Sequence, residues 1–207
     1  MKKLHHFERD GKWGVAWGCA GDSDAIRKFY DNLVLVLSNE KDEPSPDLPR
    51  LQRAQQIIES IGKDIHDNYE RANLEIVAGV WSFVPLEFTL CHMDVKHGNC
   101  LSTHDDYACG GMDLSLGKFA LESLHHTSLT IGESIGLGIF TTHLMKDTAE
   151  GVGGPIQLMT WRMANSFWSD YEQHTIDSIE VKYRTEDMAQ LIKRYWSEHN
   201  PSWLPPL

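Results

Sequence analysis

At 207 residues and 23.6 kDa the chain suits one domain, or at most two small ones, and its 41% hydrophobic and 24% charged content argues against global disorder. A formal charge of −11 and a pI near 5.4 repel polyanionic nucleic acid, and Lys2-Lys3 is too short a basic run to offset them. No stretch approaches the roughly 18 apolar residues of a membrane span, and MKKLHHFERDGKWG lacks the apolar core of a signal peptide, so a soluble, cytoplasmic protein without a membrane partner is expected.

In chain order, Leu4 to Phe7 and Val15 to Trp17 are short apolar runs around the turn-like Arg9-Asp10-Gly11, which predicts a β-hairpin. Gly18 to Gly21 is expected to break the second strand, and Asp22 to cap a helix. That helix is marked by Ala25, Ile26, Phe29, Leu33, Val36 and Leu37 at three- and four-residue spacing. Residues 39–49 hold three prolines and five charged side chains and read as a surface loop within one domain. A second amphipathic helix is predicted from Leu51 to Arg71, with Leu51, Ala54, Ile57, Ile58, Ile61 and Ile65 on one face.

Three strands follow, at Leu74 to Trp81, Leu86 to Met93 and Cys100 to Tyr107, the last two joined by the turn Lys96-His97-Gly98-Asn99. Gly110-Gly111 ends the strand and opens a helix over Leu114 to Leu124. Thr130-Ile131-Gly132-Glu133 has capping-box spacing and starts a helix reaching about Lys146. The glycine-bearing loop Asp147 to Pro155 leads to a strand, Ile156 to Trp161. A last helix is expected over Thr185 to Glu198, followed by a proline-bearing tail at 199–207. Helix pairs alternating with hairpins point to an α+β fold with layered sheets.

Eleven histidines invite a metal hypothesis. Neighbouring residues in the pairs His5-His6 and His125-His126 diverge on any regular element. His92, His97 and His104 could converge with Asp94 or Asp105, but the spacing matches no zinc motif, so no metal and no cofactor is expected. Four cysteines at 19, 91, 100 and 109 lack CxxC spacing and read as reduced thiols. Cys19 and Cys109, though in small-residue turns, have no histidine at nucleophile-pairing spacing. Trp13, Trp17, Trp81 and Trp161 fall on strand patterns, which favours core packing over a ligand groove.

Laid end to end, these pieces resemble a proteasome-like subunit of the N-terminal-nucleophile hydrolases. Lys2-Lys3-Leu4, the hairpin and Ala20-Gly21-Asp22-Ser23-Asp24-Ala25 are similar to the family's lysine-bearing strand, small-residue turn and first helix. Leu86-Glu87-Phe88-Thr89-Leu90 with Met93-Asp94 resembles its central hairpin. Tyr107-Ala108-Cys109-Gly110-Gly111 through Leu121-Glu122 is similar to its "Y-A-x-G-S-G…L-E" segment, and Asp147 to Gly154 to its "D-x-x-S-G-G" loop. The likeness runs from about residue 2 to residue 161.

The resemblance implies one domain over 1–207, folded as a four-layer αββα sandwich. It also implies partners: copies or paralogous subunits in a ring, with an unfoldase or regulator as a further one. It implies peptide hydrolysis by an N-terminal threonine-type nucleophile, with Lys3 and Asp147 in supporting roles and backbone N–H groups at Gly110 and Gly111 receiving the oxyanion. On spacing alone, Lys3 reads as a strand-edge lysine and only the resemblance puts the supporting role level with that, while Asp147 is equally a solvated acid at a helix end.

Three departures stand against activity. The resemblance implies two strands before Lys3 that carry the nucleophile and an Asp, and this sequence does not contain them. Serines of the family pattern are replaced at about Met112 and at Val152. The chain is therefore expected to be inactive as it stands. It is read as a peptidase-type subunit with sequence missing upstream, or else as a non-catalytic assembly subunit. The first is favoured because an interior sheet edge left open strands backbone polar groups.

Overall fold

The protein is represented by a computed structural model that describes residues 4–9, 12–40, 49–69, 72–83, 85–98, 100–111, 114–125, 128–148, 156–162, 167–171 and 175–178. The chain divides into two compact units, Met1–Met112 with Arg162–Phe167, and Asp113–Trp161 with Trp168–Leu207.

In the first unit, β1 (Leu4–Arg9), β2 (Trp13–Gly21), β3 (Leu74–Phe83), β4 (Leu86–Asp94) and β5 (Ser102–His104) form one antiparallel sheet in that order. Alternation along the strands divides its faces. Val15 and Trp17 of β2, Leu74, Ile76, Ala78 and Val80 of β3, and Cys91 and Met93 of β4 are buried on one face. Two helices cover that face. Helix α1 (Ser23–Asn39) buries Ala25, Phe29, Leu33 and Leu37, and α2 (Arg50–Asn68) buries Ala54, Ile57, Ile58, Ile61 and Ile65. These are the apolar stripes expected from their spacing. At roughly 1.5–3 kcal/mol per fully buried large aliphatic side chain, this shared core is the unit's main cohesion.

Strand β2 does not break at Gly18. It pairs with β3 without interruption from Trp13↔Ser82 to Gly21↔Leu74. Strand β3 supplies the hydrogen bonds that a glycine-bearing segment would not hold alone, while β1 pairs with β2 as far as Gly18. Its small residues have a packing purpose instead: a Cβ at Gly14 would sit 2.1 Å from Trp81 Cζ2, so Trp81 is buried across a bare backbone. Asp22 occupies the N-cap position of α1, yet its side chain makes no capping bond there. Its Oδ2 accepts the Asn73 N–H instead. At the other end of α1, the Arg9 guanidinium donates to the carbonyls of Leu37 (3.4 Å), Ser38 (3.3 Å) and Glu40. Lys28 of α1 lies 3.6 Å above the Tyr69 ring that follows α2.

Other bounds shift by a few residues. Helix α2 stops at Asn68 rather than Arg71, and β5 spans three residues rather than the longer run from Cys100 to Tyr107. Of the turn expected at Lys96-His97-Gly98-Asn99, the first three residues turn after β4, with Gly98 at φ +64° and the His97 N–H donating to Asp94, and Asn99 lies outside the described residues.

In the second unit, α3 (Leu114–Leu124) matches its expected span, and α4 (Ile131–Thr148) runs two residues past Lys146. The capping box forms as read. Thr130 N–H donates to Glu133 Oε2 at 2.8 Å, and Glu133 N–H donates back to Thr130 Oγ1 at 3.3 Å. Leu124 and Leu137 are the buried contact of this helix pair, while Ile139, Ile156 and Ile176 form a second small core. The last expected strand begins at Met159 rather than Ile156. It pairs, as β6 (Met159–Arg162), with β7 (Phe167–Asp170), a strand the sequence pattern did not reveal. The expected helix at 185–198 and the tail at 199–207 lie outside the described residues, as do 41–48 of the surface loop. The described fold is α+β, as expected, with a five-stranded antiparallel sheet flanked on one face by a helix pair.

Candidate functional site

The sheet face opposite α1 and α2 carries the chemistry-bearing residues. Glu75, Val77 and Gly79 of β3 alternate with the buried apolar set. Register then places Val77 opposite His92, His92 opposite Ser102, and Leu90 opposite His104 on that same face. After β5 the chain returns over it as far as Gly110 and Gly111. A Cβ at Gly110 would lie 2.8 Å from Val77 Cγ2, and Gly111 adopts φ +133°. Both positions need glycine, the first for close approach and the second for backbone conformation.

The consequence is an anchored loop. The Gly111 N–H donates to Glu75 Oε2 at 2.9 Å, and the same oxygen lies 3.4 Å from His92 Nε2. The Glu75 and His92 side chains are 17% and 22% exposed, so the carboxylate is largely shielded and its bonds strengthen in the lower local dielectric. Directly across the ladder from Glu75 stands Asp94, whose Oδ2 lies 2.5 Å from His97 Nδ1. Each of these two facing carboxylates therefore has a histidine ring nitrogen beside it.

Further along this face the His92 and His104 rings are 6.4 Å apart. Ser102 Oγ donates to the His92 carbonyl at 2.9 Å and lies 3.2 Å from His104 Nε2. With its proton committed to a carbonyl, Ser102 receives a hydrogen bond from His104 rather than giving one. General-base activation of a serine needs the reverse polarity.

Of the sequence-based candidates, Gly110 and Gly111 lie at the centre of this arrangement, in the first unit. Asp147 belongs to the second unit, in the last turn of α4 beside Lys146. Lys3, Met112 and Val152 lie outside the described residues. His92 and His104 do come near each other, but among the described residues no three His, Cys, Asp or Glu side chains are grouped to hold a metal ion. His5 turns inward to stack near Trp17 and Tyr30 while His6 is exposed, the divergence expected of adjacent strand residues. Trp13, Trp17 and Trp81 are core residues, as expected.

None of the four cysteines is disulfide-bonded. Cys19 lies within β2 rather than in a turn, and burial pushes its thiol up to about 12. Burial likewise pushes Cys91 up to about 11, against a smaller lowering by a hydrogen bond from Gln55. Thiols held protonated this way are poor nucleophiles.

The site residue missed in the sequence is Glu75. Its signal was present: one acid in the otherwise apolar run Leu74-Glu75-Ile76-Val77-Ala78-Gly79-Val80. An acid in a two-sided buried strand requires a partner, though nothing local identifies His92 and Gly111 as that partner.

No protein-family model matches the chain, and no curated protein does either. Among solved structures it is similar to an Anbu (Gly-1) mutant from Hyphomicrobium sp. strain MC1, with TM-score 0.70 and 16% identity over 97% of this chain and 86% of that one. It is similar to Anbu (ancestral beta-subunit) from Yersinia bercovieri, with TM-score 0.70 and 12% identity over 100% and 86% of the two chains. The helical assembly of the Anbu complex from Pseudomonas aeruginosa matches with TM-score 0.68 and 13% identity over 100% and 86%. At these identities the likeness establishes a shared fold. Among the described residues no helix is long and apolar enough to cross a membrane.

Proposed function

We propose that this chain is a proteasome-like subunit related to N-terminal threonine peptidases, that it assembles with copies of itself or with related subunits, and that it does not hydrolyse peptides as it stands. The observation that carries the assembly reading is the fold match to the Anbu structures over nearly the whole chain, one of them described as a helical assembly. A four-layer αββα sandwich for this chain is part of the same reading.

The absence of activity is supported by the glycine loop. In this reading the loop's N–H groups serve a substrate oxyanion, Lys3 lowers the cost of charged intermediates and Asp147 orients the attacking group. An oxyanion donor has to point at where charge develops, and the Gly111 N–H is instead engaged by Glu75.

Light scattering coupled to size-exclusion chromatography tests the assembly, and a mass at a multiple of 23.6 kDa is expected. A well-folded monomer at all working concentrations argues against it. Fluorogenic peptides test the second half: the purified chain is expected to leave them intact, and turnover that persists through repurification would overturn the reading.

A further inference from the structure

We draw no further inference here: the strongest candidate, the exposed apolar patch that Leu86 and Phe88 of β4 form where the Phe88 ring lies over the bare backbone of Gly79, carries nothing because nothing in the structure shows what covers it.

Discussion

Asp22 and Asn73 hold each other across the end of the sheet: the Asp22 N–H donates to the Asn73 carbonyl at 2.7 Å, and Asp22 Oδ2 accepts the Asn73 N–H at 2.9 Å. This reciprocal pair ties the β2–α1 corner to the segment entering β3, residues 51 positions apart. It exists only because Gly21, at φ +120°, lets the backbones approach.

Gly21→Ala is therefore expected to be severely destabilising. Its Cβ would lie 1.8 Å from the Asn73 carbonyl oxygen, on top of the unfavourable φ. The expected loss is about 3 kcal/mol or more, read as a lower urea midpoint. Gly138→Ala is the contrast, because Gly138 is an exposed α4 position with nothing within 4 Å of an added Cβ. There the helix is expected to gain about 0.5–1 kcal/mol.

Arg9→Met keeps the aliphatic stem and removes the guanidinium that caps the last carbonyls of α1. Hydrogen bonds from a charged donor and the interaction with the helix dipole are each modest when partly exposed, so a loss of about 1–2 kcal/mol is expected. Faster amide exchange in the last turn of α1 would place the effect there.

Thr130→Ala removes the hydroxyl half of the α4 capping box. The expected cost is about 1 kcal/mol, with Thr130→Ser retaining most of the parent stability. Equal losses in the two variants, measured by denaturation, would show that the hydroxyl is not what matters.

The buried thiols set an alkaline limit. Cys19 and Cys91 are raised by burial from 9.0 to about 12 and about 11. The unfolded chain therefore ionises first, and their contribution, complete below pH 9, is lost as pH climbs from 9 towards 11 and 12. Stability measured from pH 8 to 11 is expected to fall, and less steeply in Cys91→Ala. At pH 8, iodoacetamide is expected to label exposed Cys100 well before Cys19 or Cys91.

Periodicity by itself determined the helix-forming stripes of α1 and α2, the span of α3, the capping box at Thr130 and the hairpin strands. Each depends on residues a few positions apart, and local spacing encodes local geometry. Tertiary pairing decided that β2 continues through Gly18 to Gly21, because β3 supplies hydrogen bonds that no window of β2 contains. It also decided that Asp22 serves Asn73 rather than its own helix, and that Trp81 lies across Gly14. In the candidate site, the glycines were legible because close turns demand them. Their partner was not: Glu75 meets Gly111 across 36 positions, and only the sheet register and the returning loop bring a lone strand carboxylate to that N–H.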